Sequence, residues 1–83
     1  MKKIKFILSA NNNGAEIYAK EKKLKPREWA YLHNVHRQLS GLEAKNVEFI
    51  FLDSWYLNDV YEDKIAKLIM QEFFIFGATK TYE

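Results

Sequence analysis

The sequence predicts an α/β domain in which a three-stranded parallel sheet, in the order 2-1-3, carries two main helices. Three observations lead to this prediction. Apolar residues alternate in three short runs, as in strands. Segments with helix-capping residues lie between or after these runs, and the elements follow one another as strand, helix, strand, short crossover, strand and helix. Alternation of this kind favours a parallel sheet with right-handed crossovers. The 83 residues are enough for a single domain, residues 1–83.

The first strand and helix form the clearest unit of the chain, residues 3–24. In the strand, Ile4, Phe6 and Leu8 alternate with Lys5, Ile7 and Ser9, and both sets are largely apolar, as expected of a strand covered on both sides. Asn13 is the predicted helix cap, and Glu16 stands three residues later, where a capping box places an acidic side chain. This unit therefore fixes the start of the predicted sheet.

Two further strands and a longer helix follow. Residues 29–33 are rich in aromatic side chains and predict a short strand, residues 35–42 predict a helical turn, and residues 47–52 predict the clearest strand. Asp59 is the predicted cap of a helix that ends before Gly77. Together with the first strand, this set makes a minimal Rossmann-like sheet.

The end of the last helix has an alternative interpretation. Residues 73–76 are apolar on all sides, as in a buried strand, so a fourth strand is the competing arrangement. We favour the helix, because apolar residues recur at helical spacing from Tyr61 to Phe76. The tail, residues 78–83, is too short and polar for assignment.

Composition excludes several classes of protein. The chain has no cysteine, which excludes a disulfide framework, a thiolate zinc site and a cysteine nucleophile. No uncharged stretch reaches the roughly 20 residues that span a bilayer, and the apolar run behind the first lysines is too short for a signal peptide. We therefore expect a cytoplasmic protein without a membrane contact. The net charge of +2 does not by itself indicate nucleic-acid binding.

Polar and aromatic residues follow each predicted strand. In open parallel sheets, ligands bind outside the carboxyl ends of the strands. The residues expected to form a ligand or partner site at this edge are Ser9, Asn11, Asn12, Asn13, Asn34, His36, Asp53, Trp55 and Tyr56. Helix N–H groups near Asn13 can also accept an anion. The simpler interpretation is that these loops are polar because they are loops, and rich in Asn because Asn caps helices.

Motifs that would identify an enzyme or a cofactor site are missing from the sequence. The first loop lacks the glycines of a dinucleotide site and the lysine of a phosphate-binding loop, so a small nucleotide or anion remains only an alternative. His33 and His36 have no evident third ligand, and we expect no metal site. No Ser/His/Asp set or nucleophile elbow is visible. We expect no enzymatic activity and no cofactor.

Two regions are candidates for contacts with macromolecules. Cationic side chains form a basic region at positions 2, 3, 5, 20, 22, 23, 25 and 27. This region suits either a nucleic-acid contact or an ordinary solvated helix face. Trp55 and Tyr56 are residue types that anchor binding interfaces, and Phe74 and Ile75 fall off the main apolar face of the last helix. We therefore expect a protein partner or self-association, with Phe74 and Ile75 at the oligomer surface.

Three segments resemble a group of small Rossmann-like proteins that tailed bacteriophages and related mobile elements encode. The segments are S-A-N-N-N-x-A-E-x-Y-A at residues 9–19, L-S-G-L at residues 39–42 and D-S-W-Y-L at residues 53–57. The group is largely uncharacterised, so the resemblance implies a fold and a phage context but no catalytic residues. In that context, small proteins frequently bind a host protein, including defence factors, or sequester a nucleotide signal. The expected function is that of a self-associating, non-enzymatic binding module.

Overall fold

A computed structural model describes residues 3–83, so Lys2 of the basic region lies outside the described residues. The strands are β1 (Ile4–Leu8), β2 (Trp29–Tyr31), β3 (Val47–Phe51) and β4 (Thr79–Tyr82). The helices are α1 (Asn12–Glu21), α2 (Val35–Gln38) and α3 (Lys64–Ile75). Short 3-10 turns lie at Ala44–Asn46, Trp55–Leu57 and Asp59–Glu62. Within residues 3–83, no helix is long and apolar enough to cross a membrane.

The sheet is parallel throughout, as predicted, but it has four strands rather than three. The order is β2-β1-β3-β4, so the expected order 2-1-3 is extended by one strand. The polar tail forms this strand: Glu48 pairs with Thr79, and Phe51 pairs with Tyr82. The apolar residues at 73–76 do not form it, because α3 continues to Ile75. The tail joins the sheet because β3 offers a row of backbone partners, which side-chain patterning does not report.

Gly77 makes the turn from α3 into β4 possible, at the position the sequence predicts. The N–H groups of Gly77 and Ala78 donate to the carbonyl groups of Phe74 and Phe73, at 3.4 and 2.8 Å. This is the paired bonding of a Schellman motif. The φ angle of Gly77 is +115°, in a region that residues with a Cβ avoid. The chain therefore leaves the helix and begins β4 within a few residues.

Helices cover the two faces of the sheet unequally. On one face, Ile7 and Ile50 pack against Ala15 and Ala19 of α1. The opposite face, under α2 and α3, carries the larger core: Phe6, Leu8, Leu32, Val35, Leu39, Val47, Phe49, Phe51, Val60, Ala66 and Met70. Right-handed crossovers require this division, because the chain first moves from β1 to β2 and afterwards crosses the sheet in the other direction.

The high aromatic content of the chain fills this larger core. The rings of Phe49 and Phe74 lie 5.1 Å apart, and those of Phe51 and Tyr82 are stacked at 4.7 Å. Trp55 packs edge-on against Phe51 at 5.5 Å. Each aromatic side chain buries a large area, so a few rings suffice where the helices are short. The aromatic residues therefore serve the fold first, and few remain for a surface.

The core-facing side of α3 differs from the predicted one. Ala66 and Met70 are buried, whereas Ile65 and Phe76, which belong to the predicted apolar face, are exposed. Phe74 was predicted to lie off that face, and it packs against the core instead. Small Ala66 allows α3 to approach the sheet closely, and flexible Met70 fills the remaining space. The side of α3 that faces the sheet is thus the side that allows close packing, and not the side with the largest apolar residues.

Candidate functional site

Because all four strands are parallel, their carboxyl ends meet at one edge of the sheet, which we call the carboxyl edge. All the residues predicted for the site follow β1, β2 or β3 and therefore belong to this edge. They do not converge on one pocket. The structure separates them into a loop after β1, a cleft beside β2 and an aromatic region after β3.

The loop after β1 is held by its own side chains. Ser9 is buried, and its Oγ donates to the carbonyl of Asn11 at 2.6 Å. Asn11, not Asn13 as predicted, caps α1 by accepting the Gly14 N–H at 3.1 Å. Three consecutive asparagines can each serve as a cap, and the bond from Ser9 selects the first. Asn12 and Asn13 therefore lie exposed in the first turn of α1.

The crevice between β1 and β3 is where an open sheet of this order would bind a ligand. Here the N–H of Ala10 donates to Ser54 Oγ at 3.1 Å. A Cβ at Gly14 would lie only 3.3 Å from Ser9, so the start of α1 is pressed onto the end of β1. The N–H groups of Ala10 and Gly14 are therefore bonded within the protein and are not available to an anion.

Asn58 is a buried polar residue that the sequence analysis did not identify. Its Nδ2 donates to the carbonyls of Ser9, at 3.0 Å, and Leu32, at 2.8 Å, and its Oδ1 accepts the Val60 N–H at 3.0 Å. The two carbonyls follow the last residues of β1 and β2. Asn58 therefore ties two strand ends to the turn before α3. In sequence it resembles any turn asparagine, so no local signal distinguishes it.

A cleft of about 350 Å³ opens beside the carboxyl end of β2. We call it the β2 cleft; it is lined by His33, Asn34, Val35, His36, Asp59, Val60, Asp63 and Ala66. Its three apolar residues are buried and form the floor, while the polar residues are exposed at the rim. Of the predicted site residues, Asn34 and His36 are therefore brought together with two carboxylates. Asp59 was predicted only as a helix cap, and Asp63 was not among the predicted site residues.

Asp63 is the residue that caps α3, in place of the predicted Asp59. Its Oδ1 accepts the N–H groups of Ile65 and Ala66, at 2.9 and 3.2 Å, and its Oδ2 lies 3.6 Å from His36 Nε2. The hydrogen bond from Ala66 is the main reason that the pKa of the Asp63 carboxyl lies below its usual 3.8, with Ile65 and His36 contributing. Asp63 is thus ionised at neutral pH.

Asp59 belongs to the turn Asp59–Glu62, and Asn58 caps that turn. Burial raises the pKa of the nearby Tyr31 above its usual 10.0, and the charge of Asp59 raises it further. Tyr31 also stacks on His33 of the β2 cleft, with ring centroids 5.8 Å apart. The cleft therefore has an acidic and aromatic rim.

In the aromatic region after β3, Tyr56 is more accessible than Trp55. Trp55 is partly buried against Phe51 and also contacts Tyr61 at 5.0 Å. Tyr56 stands perpendicular to Trp55 and is 61% exposed. Asp53 is exposed in the loop that precedes them. Tyr56 is therefore more accessible to a partner than Trp55, which serves mainly to fill the core.

Within residues 3–83, no three His, Asp or Glu side chains are placed to hold a metal ion. A scan against protein-family models finds no match for the chain, and searches of curated proteins and of solved structures find none either. The function must therefore be inferred from the surfaces of the molecule.

Asn58→Ala should strongly destabilise the protein. The change leaves two buried carbonyls without donors, at about 1–3 kcal/mol each, so we expect the free energy of unfolding in urea to fall by about 2–6 kcal/mol. Asn58→Asp keeps the shape and the acceptor for Val60 but loses both donors, and should cost at least as much. Asn12→Ala, at an exposed asparagine, is the control and should change little. An Asn58→Asp variant as stable as the wild type would contradict this role.

Acidification should weaken the cap of α3. Because the folded-state pKa of Asp63 lies below 3.8, its stabilising contribution is present above that pH and is lost as pH falls through the folded-state value. Asp63→Asn keeps the capping oxygen but cannot titrate, so its unfolding free energy should fall less between pH 5 and pH 2. Asp53→Asn removes an exposed carboxylate nearby and controls for net charge. Equal acid sensitivity of Asp63→Asn and the wild type would exclude this coupling.

Proposed function

We propose that the protein is a non-enzymatic binding module that acts through protein–protein contacts and self-associates. The observation that carries this proposal is a row of large apolar side chains on the outer side of α3. Ile65, Leu68 and Ile75 are 59%, 58% and 77% exposed. They stand three and seven residues apart, so they share one face of the helix. We call these three residues the α3 stripe.

The α3 stripe is more than scattered surface hydrophobicity. Single exposed apolar residues are normal, but contiguous apolar patches on small proteins usually mark contact surfaces. Phe76, 73% exposed, extends the apolar surface at the end of the helix. Burial of such surface contributes about 25 cal/mol per Å², which gives association a driving force that the core does not already use.

A second copy of the chain fits the α3 stripe. If two α3 helices pack antiparallel about a two-fold axis between Leu68 and Glu72, Ile65 of each copy lies opposite Ile75 of the other. The same axis places each Glu72 opposite Leu68 at the centre of the contact. A single polar position in an apolar seam fixes the register of paired helices, and a two-fold contact closes on itself. Of the predicted oligomer residues, Ile75 lies in this surface and Phe74 lies beneath it in the core.

The carboxyl edge offers a separate surface for a different protein. Tyr56 and Leu57 are 61% and 59% exposed, side by side in the turn after β3. Trp55 supports them from the core, which lowers the entropy lost on binding. The resemblance to small phage proteins favours a host protein, including a defence factor, as the partner at this edge. Self-association through α3 leaves the edge available.

Sedimentation velocity tests the self-association. The wild type should show a concentration-dependent dimer, because the α3 stripe is removed from water on pairing. Leu68→Glu should remain monomeric, and at low concentration, where the wild type is also monomeric, the two should unfold at the same temperature, since position 68 lies outside the core. Ile17→Glu makes the same kind of change on α1, at a side chain that is 52% exposed, and should still dimerise. A wild type that stays monomeric at millimolar concentration would refute this part of the proposal.

Affinity capture from a bacterial lysate tests the partner surface. A folded double variant, Tyr56→Ala with Leu57→Ala, should lose a protein that the wild type and Leu68→Glu retain. Loss of the same protein by Leu68→Glu would instead assign partner binding to the α3 stripe. Capture that is identical for all variants would contradict a role for the carboxyl edge.

A further inference from the structure

The β2 cleft lies at the carboxyl edge, and neither proposed surface uses it. Its volume of about 350 Å³ is within the roughly 300–1,000 Å³ range of small-ligand sites. We propose that the β2 cleft receives the guanidinium group of an arginine side chain presented by the protein partner. This inference rests on the part of the proposed function that places a partner at the carboxyl edge, and it does not depend on self-association.

The charges of the cleft favour a cationic occupant. Asp59 and Asp63 contribute two carboxylates to its rim, and no Lys or Arg is among the residues that line it. Asp59 makes no side-chain hydrogen bond or ion pair with the part of the chain that the structure describes. Asp63 uses Oδ1 for the helix cap, while Oδ2 faces only His36, at 3.6 Å. The cleft is thus locally acidic in a chain of net charge +2.

Backbone N–H groups that could bind an anion beside the cleft are already engaged. The N–H groups of His33 and Asn34 both donate to Gln38 Oε1, at 2.9 Å each. The Arg37 N–H donates to Asn34 Oδ1 at 3.1 Å, and Asp63 takes the first N–H groups of α3. The side-chain donors that remain are the imidazoles of His33 and His36 and the amide of Asn34, whereas the two carboxylates can only accept. With two carboxylates and no Lys or Arg in the lining, the cleft repels a phosphate and favours an occupant that donates hydrogen bonds.

The floor of the cleft distinguishes guanidinium from ammonium. Val35, Val60 and Ala66 are buried beneath the polar rim, so an occupant loses water on one side without regaining hydrogen bonds there. A guanidinium is flat and weakly hydrated, and it presents its donors around its edge, whereas an ammonium is compact and strongly hydrated. The His33 ring is held at the rim by stacking on Tyr31, with ring centroids 5.8 Å apart, so one wall of the cleft is flat.

Arginine from a protein suits the openness of this cleft better than a free small cation does. All the polar lining residues are exposed at the rim, so the cleft alone encloses little of a ligand. An arginine side chain is held in addition by the rest of its interface, and Arg and Tyr are typical of the residues that dominate binding energy. Arginine in the β2 cleft and Tyr56 against the partner would make two such contacts along one edge.

NMR titration of the ¹⁵N-labelled protein tests the proposal with N-acetyl-arginine amide as the probe. Amide shifts should appear at residues 33–36 and 59–63 and should saturate in the millimolar range. N-acetyl-citrulline amide has the same shape without the charge and should give no saturable shift. N-acetyl-lysine amide should bind more weakly than the arginine probe. Equal binding of citrulline and arginine, or shifts confined to the loop after β1, would overturn the proposal.

Single substitutions test whether the arginine probe binds at Asp59. Asp59→Asn should weaken the arginine probe by about tenfold, because a charge-assisted hydrogen bond is lost. It should keep the thermal unfolding temperature, since Asp59 is exposed. Glu62→Gln removes an exposed carboxylate from the same turn that does not line the cleft, and it should bind like the wild type. Equal losses in both variants would indicate non-specific attraction and overturn the site. Zn²⁺ is added separately, and tighter binding of Zn²⁺ than of the arginine probe would also overturn it.

The outcomes separate this inference from the proposed function. Saturable arginine binding by a wild type that sediments as a monomer would support the cleft and refute self-association. A wild type that dimerises but does not bind the arginine probe would support self-association and refute the arginine site. Capture that survives Asp59→Asn but fails in the Tyr56→Ala, Leu57→Ala double variant would keep the partner surface and refute arginine as its anchor.

Discussion

The two carbonyls that follow β1 and β2 impose the constraint on which the rest of the structure depends. Those of Ser9 and Leu32 lie one residue past the paired strands, and the buried Asn58 side chain donates to both. Unpaired polar groups in such a place are costly. The turn before α3 must therefore enter the edge of the sheet at this point, because only a donor brought from elsewhere in the chain can satisfy both groups.

The position of Asn58 constrains where the following residues and α3 can lie on the sheet. Val60 is carried into the core, Asp63 reaches the position of the α3 cap, and the helix lies on the sheet through Ala66. With α3 in this orientation, the α3 stripe lies on the outside, and Gly77 lies shortly before the start of β4. The exposed apolar surface is therefore a consequence of a polar requirement at the opposite end of the helix, and not of an incomplete core.

Sequence patterning predicts the parts of this fold that local chemistry determines. β1 and β3 alternate apolar residues on both faces, and Gly77 ends α3 as predicted. β4 was not predicted, because three of its four residues are polar and only Tyr82 adds a ring to the core, beside Phe51 and Trp55. Backbone pairing with β3 leaves no pattern in the side chains of such a segment. Asn58 was missed for a related reason: its partners lie 49 and 26 residues away.

For the candidate site, sequence predicts the edge but not the groups that converge there. His36 follows β2, and Asp63 begins a helix far along the chain, so their 3.6 Å approach depends on how α3 is placed. The same carboxylate then has two roles, since Oδ1 holds the helix and Oδ2 faces the cleft. A cation that pairs with Oδ2 keeps Asp63 ionised and leaves the cap intact. Asp63 therefore links the β2 cleft to the stability of α3, and the helix that carries the proposed self-association surface begins at the proposed arginine site.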